Sequence, residues 1–154
     1  MGGYNKYIGG YYLISLIIGK KGTGKTKVLV EHVNEAVPES SGNVVCVEKE
    51  TKLTYDVNYR ARLVATDVFG ISGYDAFFGF LSGICAGDHD ITDIFVDATY
   101  RIAEDTDRTG EALAAFLKKV DALSKISDTK FTFTISSDFE TLPESMFEYC
   151  EKIN

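Results

Sequence analysis

A glycine- and lysine-rich loop between an apolar segment and a helical segment constrains this chain more than any other feature. Residues 11–18 are apolar and rich in β-branched and aromatic side chains, which predicts a buried strand, and a helical pattern begins at Lys25. Between them, residues 19–26 read GKKGTGKT. The glycines allow unusual backbone dihedrals and let backbone N–H groups approach a ligand closely. Because the loop opens into the N-terminus of a helix, it predicts a phosphate-binding site.

The fixed positions of the loop pattern have expected roles in binding a nucleotide. The loop matches the pattern G-x-x-x-x-G-K-[ST] at every fixed position. Lys25 is expected to reach the β- and γ-phosphates, and the Thr26 hydroxyl is expected to bind Mg²⁺. The candidate phosphate-binding residues are Gly19, Lys20, Lys21, Gly22, Thr23, Gly24, Lys25, Thr26 and Lys27. The alternative is a glycine-rich turn with a structural role alone.

This loop resembles the Walker A motif of the P-loop NTPase superfamily. The second motif of that superfamily is a hydrophobic strand that ends in Asp, and residues 94–97 (IFVD) are similar to it. The resemblance implies that Asp97 holds Mg²⁺ through water, opposite Thr26. The alternative is an acidic residue that merely ends a strand. Residues 51–54 resemble the guanine-reading pattern [NT]-K-x-D only until Thr54, so ATP is expected rather than GTP.

Strand-like and helix-like patterns alternate along the rest of the chain. Strands are predicted at residues 11–18, 43–47, 61–66, 91–98 and 130–135, and helices at residues 25–37, 73–86, 109–124 and 142–153. This alternation predicts an α/β fold, a three-layer P-loop NTPase sandwich with a mostly parallel sheet of about five strands. Residues 1–10 are expected to form a flexible N-terminal arm, and residues 11–154 the nucleotide-binding domain.

Composition limits the partners and the compartment. A chain of 154 residues is long enough to bury one good core. Its net charge of −7 disfavours nucleic acid and anionic lipid as partners. The sequence has no apolar run long enough to insert into a membrane, which predicts a cytoplasmic protein. The three cysteines, at positions 46, 85 and 150, form no Cys-x-x-Cys pair and are expected to be buried free thiols.

The general base for hydrolysis is the least defined part of the site. ATPases of the RecA-like branch usually follow the Asp with Glu, whereas Ala98 follows Asp97 here. Glu48, just past the second strand, is the predicted catalytic carboxylate beside Lys25 and Asp97. Glu104 and Asp105 are further candidates, and the alternative for all three is an exposed loop carboxylate.

A further polar pair follows the last predicted strand. In RecA-like ATPases a polar residue that ends the strand beside the Asp strand senses the γ-phosphate, and the resemblance implies this role for Ser136 or Ser137. A plain turn is the alternative, because Ser and Asp favour turns. The sequence Asp88-His89-Asp90 suggests a metal ligand set only weakly, and a solvent-facing turn is expected there.

Mg-ATP binding with slow or partner-stimulated hydrolysis is the expected function, in a small regulatory or motor-like module. The pattern is similar to small bacterial ATP-binding proteins likened to secretion ATPases, and this similarity covers only the Walker segments. Residues 70–87 are the candidate contact surface for a protein partner or a homo-oligomer, with core packing as the alternative. The glycines of that segment are expected to allow close approach of a neighbouring element.

Two other classes of function remain open from the sequence. A small-molecule kinase would use arginines to clamp the transferring phosphate. The candidate arginines are Arg60, Arg62, Arg101 and Arg108, each with an exposed surface position as the alternative. A nucleotide-binding switch that does not hydrolyse ATP is the other class.

Overall fold

The computed structural model describes residues 6–7 and 10–154. The strands are β1 (Lys6–Tyr7), β2 (Gly10–Tyr11), β3 (Ile14–Gly19), β4 (Asn43–Glu48), β5 (Arg62–Ala65), β6 (Ile91–Val96), β7 (Lys130–Ser136) and β8 (Cys150–Lys152). The α-helices are α1 (Lys25–Glu39), α2 (Tyr74–Gly87), α3 (Thr99–Ala103) and α4 (Glu111–Ser127). Short 3₁₀ turns lie at Thr66–Phe69, Phe139–Thr141 and Glu144–Glu148.

Six of the strands form one sheet in the order β5-β4-β6-β7-β3-β8. All neighbouring pairs in this sheet are parallel. The predicted α/β fold with a mostly parallel sheet is therefore confirmed, with six strands where about five were expected. Because the strands run the same way, their C-terminal ends meet at one edge, where the loop after β3 also lies.

The sheet is covered on both faces, as in a three-layer α/β fold. Helices α2 and α4 pack on one face against the larger apolar cluster, whose largest buried side chains include Phe77, Phe131 and Phe133. Helix α1 packs on the other face through Leu29, Val33 and Val37, together with Leu53 and Val57 from the segment between β4 and β5. None of the helices in the described part of the chain is long and apolar enough to cross a membrane. The three cysteines are buried free thiols, as predicted.

The predicted C-terminal helix over residues 142–153 is wrong. That segment forms a 3₁₀ turn at Glu144–Glu148 and then β8, which pairs in parallel with β3. Pro143 suits the first turn of a helix, and the buried residues Leu142, Met146 and Cys150 are spaced four apart, as on one face of a helix. Backbone pairing with the otherwise open edge of β3 overrides this local pattern, because an unpaired strand edge is a ready template for another strand.

The predicted flexible arm over residues 1–10 lies mostly outside the described residues. Within that range the structure describes β1, which pairs with β2 in an antiparallel ladder. The register places Lys6 opposite Tyr11 and Tyr7 opposite Gly10. The prediction of a flexible arm therefore stays a prediction.

The glycines of α2 do not serve a close approach, so that part of the sequence interpretation is wrong. A methyl group added at Gly79 or Gly83 would have no heavy atom of another element within 4 Å. The buried side of the helix is instead formed by Phe77, Leu81 and Cys85. The aromatic side chains of the segment thus follow the core-packing alternative, and the glycines lie on the exposed side.

Replacing Gly79 or Gly83 by alanine should therefore stabilise the protein. Alanine lowers the backbone entropy of the unfolded chain and has a higher helix propensity, so each change should raise the free energy of unfolding by about 0.5–1 kcal/mol. Chemical denaturation measures this directly. The matched control is Gly110→Ala, which should be destabilising because its φ is +87° and the new methyl group would lie 2.7 Å from Pro143 Cδ. Destabilisation by Gly79→Ala would mean that the outer face of α2 is covered in solution.

Candidate functional site

The loop after β3 curls back on itself around one carbonyl group. The Lys20 carbonyl oxygen accepts hydrogen bonds from Thr23 Oγ1 at 2.7 Å and from Lys25 Nζ at 2.8 Å. Gly22 and Gly24 have φ values of 81° and 85°, which a side chain would disfavour. The loop then enters α1, whose first backbone N–H groups have no partner within the helix. This geometry joins a glycine-rich turn directly to a helix N-terminus, which is the arrangement that anions favour.

Lys25 is held at the base of this loop. It is only 9% exposed, which is unusual for a lysine. Burial lowers the pKa of Lys25, while the nearby Asp97 carboxylate raises it and so offsets part of the shift. Among the residues that the structure describes, the ammonium group has one hydrogen bond, to the Lys20 carbonyl, and it can donate two more. A buried cation with spare donors is well suited to binding an anion.

Thr26 and Asp97 are brought together from positions far apart in the sequence. Thr26 Oγ1 lies 3.1 Å from both Oδ1 and Oδ2 of Asp97. Asp97 directly follows β6, and its backbone N–H donates to the Val47 carbonyl at 2.9 Å. The two residues that the sequence assigned to Mg²⁺ are therefore in direct contact at the C-terminal edge of the sheet. Oxygen ligands of this kind are those that Mg²⁺ prefers.

Thr134 holds the Asp97 carboxylate in place, and the sequence interpretation missed it. Its Oγ1 donates to Asp97 Oδ1 at 2.9 Å and accepts from the Ala98 backbone N–H at 2.7 Å. Thr134 is buried in β7, and Ala98 has a left-handed backbone with φ 65°. The available signal was the alternation of Phe and Thr in β7, which puts hydroxyls on one face of a strand that is buried on both faces.

Glu48 lies on the strand next to Asp97, but its carboxylate has other partners. Oε1 accepts from the Lys52 backbone N–H at 2.9 Å, and Oε2 accepts from the Leu53 backbone N–H at 3.4 Å. Its side chain is 4% exposed, so these bonds hold the turn after β4 in a buried position. Burial raises the pKa of the Cys46 thiol to about 12, and the negative charges of Glu48 and Asp97 contribute to the same rise. The catalytic role of Glu48 stays a prediction, beside a structural role that the hydrogen bonds support.

The variant Glu48→Gln separates these two roles. If the carboxylate holds the turn, the amide nitrogen of Gln would face a backbone N–H, and the free energy of unfolding should fall by about 1–3 kcal/mol. We expect this loss, measured by denaturant unfolding, with ATP binding retained. A general base would instead show a hundredfold or greater loss of hydrolysis rate with unchanged stability, which would contradict the structural role.

Of the other candidates, Asp105 and Ser137 form local hydrogen bonds. Asp105 accepts hydrogen bonds from the Tyr74 hydroxyl and, at 3.1 Å, from the Arg108 backbone N–H. Ser137 Oγ donates to the Asp138 carbonyl at 3.1 Å, in keeping with the turn alternative. Ser136 pairs with Gly19 in the register of β7 and β3 and shares a face with Thr134. Of the two serines, Ser136 is therefore the one beside the loop.

The four candidate arginines are exposed and lie in three different surroundings. Arg101 Nη2 forms an ion pair with Glu50 Oε1 at 2.7 Å, and Arg108 lies over the ring of Tyr100 at 5.3 Å. Arg62 is the first residue of β5 and lies at the N-terminal ends of the strands, whereas the loop lies at their C-terminal ends. Arg60 and Arg62 both line one cavity at the N-terminal ends of the strands. The position of Arg60 and Arg62 therefore gives no support to a phosphate clamp at the loop, and the kinase alternative stays a prediction.

The weak metal signal at Asp88-His89-Asp90 corresponds to a turn. Asp88 Oδ2 accepts from Asn43 Nδ2 at 2.8 Å, and Asp88 Oδ1 accepts from the Asp90 backbone N–H at 2.9 Å. These bonds lower the pKa of Asp88, led by the bond from the Asp90 N–H. Among residues 6–7 and 10–154 no group of three or more His, Cys, Asp or Glu side chains is arranged to hold a metal ion.

Comparison with known proteins adds no family assignment to this geometry. The sequence matches no protein-family model, and no curated protein is significantly similar to it.

Proposed function

We propose that this chain is an ATP-binding domain of the P-loop type that binds Mg-ATP and hydrolyses it slowly or on stimulation by a partner. The observation that carries the proposal is the contact of Thr26 Oγ1 with both carboxylate oxygens of Asp97, at 3.1 Å. The loop pattern predicted Thr26, and the resemblance of residues 94–97 to the second motif of the same superfamily predicted Asp97, although 71 positions separate them in the chain. Their contact beside a glycine-rich loop supports one shared site.

The residues of the loop divide the binding of the phosphates between them. The backbone N–H groups of residues 22–26 would donate to phosphate oxygens, aided by the positive end of α1. Lys25 would donate to the β- and γ-phosphates with the two ammonium protons that do not bond to the Lys20 carbonyl. Bonds between an ammonium group and a phosphate oxygen are charge-assisted and therefore strong.

The donor set at Thr26 and Asp97 fits Mg²⁺. Mg²⁺ keeps several waters and is usually bound by one or two protein oxygen ligands together with substrate phosphates. Thr26 Oγ1 would be a direct ligand, and Asp97 would orient a metal-bound water. The ion would supply charge neutralisation at the γ-phosphate. Thr134 keeps the carboxylate oriented for this task.

A non-hydrolysing nucleotide switch is the second candidate, and the hydrogen bonds of the nearby carboxylates favour it. Glu48 and Asp105 each accept two hydrogen bonds from the protein. Ala98 occupies the position after Asp97, where a glutamate would polarise water. With its carboxylates engaged in this way, the site would bind ATP and turn it over slowly at most.

Calorimetric titration with Mg-ATP, combined with a phosphate-release assay on the same samples, tests the proposal. Saturable binding with slow phosphate release is expected for the ATPase, and binding without release would support the switch. Titration with Mg-GTP is the matched comparison for base preference. If neither nucleotide binds, the proposed function is wrong.

A further inference from the structure

A cavity lies at the N-terminal ends of the strands, at the opposite end of the sheet from the Gly19–Thr26 loop. Its volume is about 380 Å³, within the usual range for small-molecule sites. The walls come from the first residues of strands β4 and β6, from β5, and from one side of α2. The apolar lining consists of Val44, Val45, Val64, Phe69, Phe80, Ile84 and Ile91. Phe69 is 61% exposed and stands at the rim, so part of this apolar surface faces solvent.

Two arginines line the same cavity. Arg60 and Arg62 are exposed, and neither guanidinium group has a hydrogen bond or an ion pair with the residues that the structure describes. Other cations of the chain, such as Lys49 and Arg101, form ion pairs with carboxylates. The carboxylate in the lining, Asp88, bonds instead to Asn43 and to the Asp90 N–H.

We propose that this cavity binds a small amphipathic carboxylate, with its apolar body against α2 and β5 and its carboxylate on Arg60 and Arg62. An apolar pocket with a few polar groups at one end is the usual form of a small-molecule site. Guanidinium groups match a carboxylate through paired hydrogen bonds, which fixes the orientation of the ligand. The Asp88 charge in the lining would repel a ligand carboxylate placed beside it, so the carboxylate lies toward the arginines.

This site does not depend on the proposed nucleotide site. Arg62, Asn43 and Ile91 each begin a strand, whereas the loop after β3 and Asp97 follow strand ends. The length of the parallel strands separates the two edges. Failure of ATP binding would therefore leave this proposal standing, and failure of this proposal would leave ATP binding unaffected.

Calorimetry without nucleotide, using octanoate, 1-octanol and acetate as probes, tests the site. Octanoate should bind about tenfold more tightly than 1-octanol, because the alcohol lacks the charged contact with the arginines. Acetate should show no saturable binding, because it lacks the apolar body. Equal affinity for octanoate and 1-octanol, or no octanoate binding, would overturn the proposal.

Variants of the lining locate the binding. The double variant Arg60→Met and Arg62→Met keeps the apolar stems and should weaken octanoate about tenfold while leaving 1-octanol unchanged. Ile84→Trp should fill the cavity and remove binding of both probes. Arg108→Met, an arginine outside the cavity, is the control and should bind octanoate as the wild type does. Wild-type octanoate affinity in either the double variant or Ile84→Trp would show that the carboxylate binds elsewhere.

Discussion

Replacing Lys25 with methionine is expected to weaken Mg-ATP binding by about a hundredfold or more. Removal of one charged partner from a buried, hydrogen-bonded contact typically costs about 2–5 kcal/mol of binding free energy, or roughly thirtyfold to several thousandfold in affinity, and a hundredfold loss lies within that range. Methionine keeps the length and the apolar stem of the lysine, so the loop loses the charge and little packing. Calorimetric titration with Mg-ATP measures the change.

Stability is the internal check on this variant. Burial lowers the pKa of Lys25, so the folded protein holds the lysine charge less favourably than the unfolded chain does. A lowered lysine pKa is unfavourable to folding at pH values below the unfolded-state pKa, including neutral pH. The Lys25→Met variant should therefore melt at or above the wild-type temperature while it fails to bind nucleotide.

A second lysine-to-methionine change controls for a general loss of positive charge. Lys118 is exposed on α4, which packs on the opposite face of the sheet from α1. Lys118→Met should bind Mg-ATP with wild-type affinity. If Lys25→Met also binds as well as wild type, the loop is a structural turn and the proposed function is wrong.

The local features of this fold could be read from the sequence because each depends on neighbouring residues. The apolar run of β3, the glycines after it and the amphipathic α4 all have short-range periodicity. The start of β3 was therefore predicted to within three residues. The strand predicted at residues 91–98 corresponds to β6, which ends at Val96, directly before Asp97.

The features that were missed depend on strand order and register. Strand β7 lies between β3 and β6, and the pairing of Val96 with Phe133 sets Thr134 beside Asp97. No local pattern carries that information, since pairing partners lie far apart in the chain. The same reason explains β8, where a helix was predicted from the local sequence but pairing with β3 forms a strand. The hydrogen bonds that Glu48 accepts from the Lys52 and Leu53 N–H groups likewise depend on the path of the turn after β4, whose sequence has no regular period.

Replacing Asp97 with asparagine is expected to remove the effect of Mg²⁺ on ATP affinity. The side chain keeps its shape and an oxygen that can accept from Thr26 or Thr134, but it loses the negative charge that favours the cation. In the wild type, Mg²⁺ should tighten ATP binding by about tenfold or more relative to EDTA. In Asp97→Asn the ratio of the two dissociation constants should be close to one. A ratio equal to wild type would place the metal elsewhere.

Thr134 provides the matched test of whether the orientation of Asp97 matters as well as its charge. Thr134→Val preserves the shape of the side chain but removes the hydroxyl, which leaves the Ala98 N–H without its partner and removes one of the hydrogen bonds to Asp97 Oδ1. The unsatisfied N–H should lower the free energy of unfolding by about 1–3 kcal/mol. The magnesium ratio should also fall, although the charge of Asp97 is intact, and Thr134→Ser should restore both quantities because it returns the hydroxyl. Lower stability with an unchanged magnesium ratio would mean that Thr134 supports only the backbone at Ala98, and that Asp97 needs no help to face the phosphates.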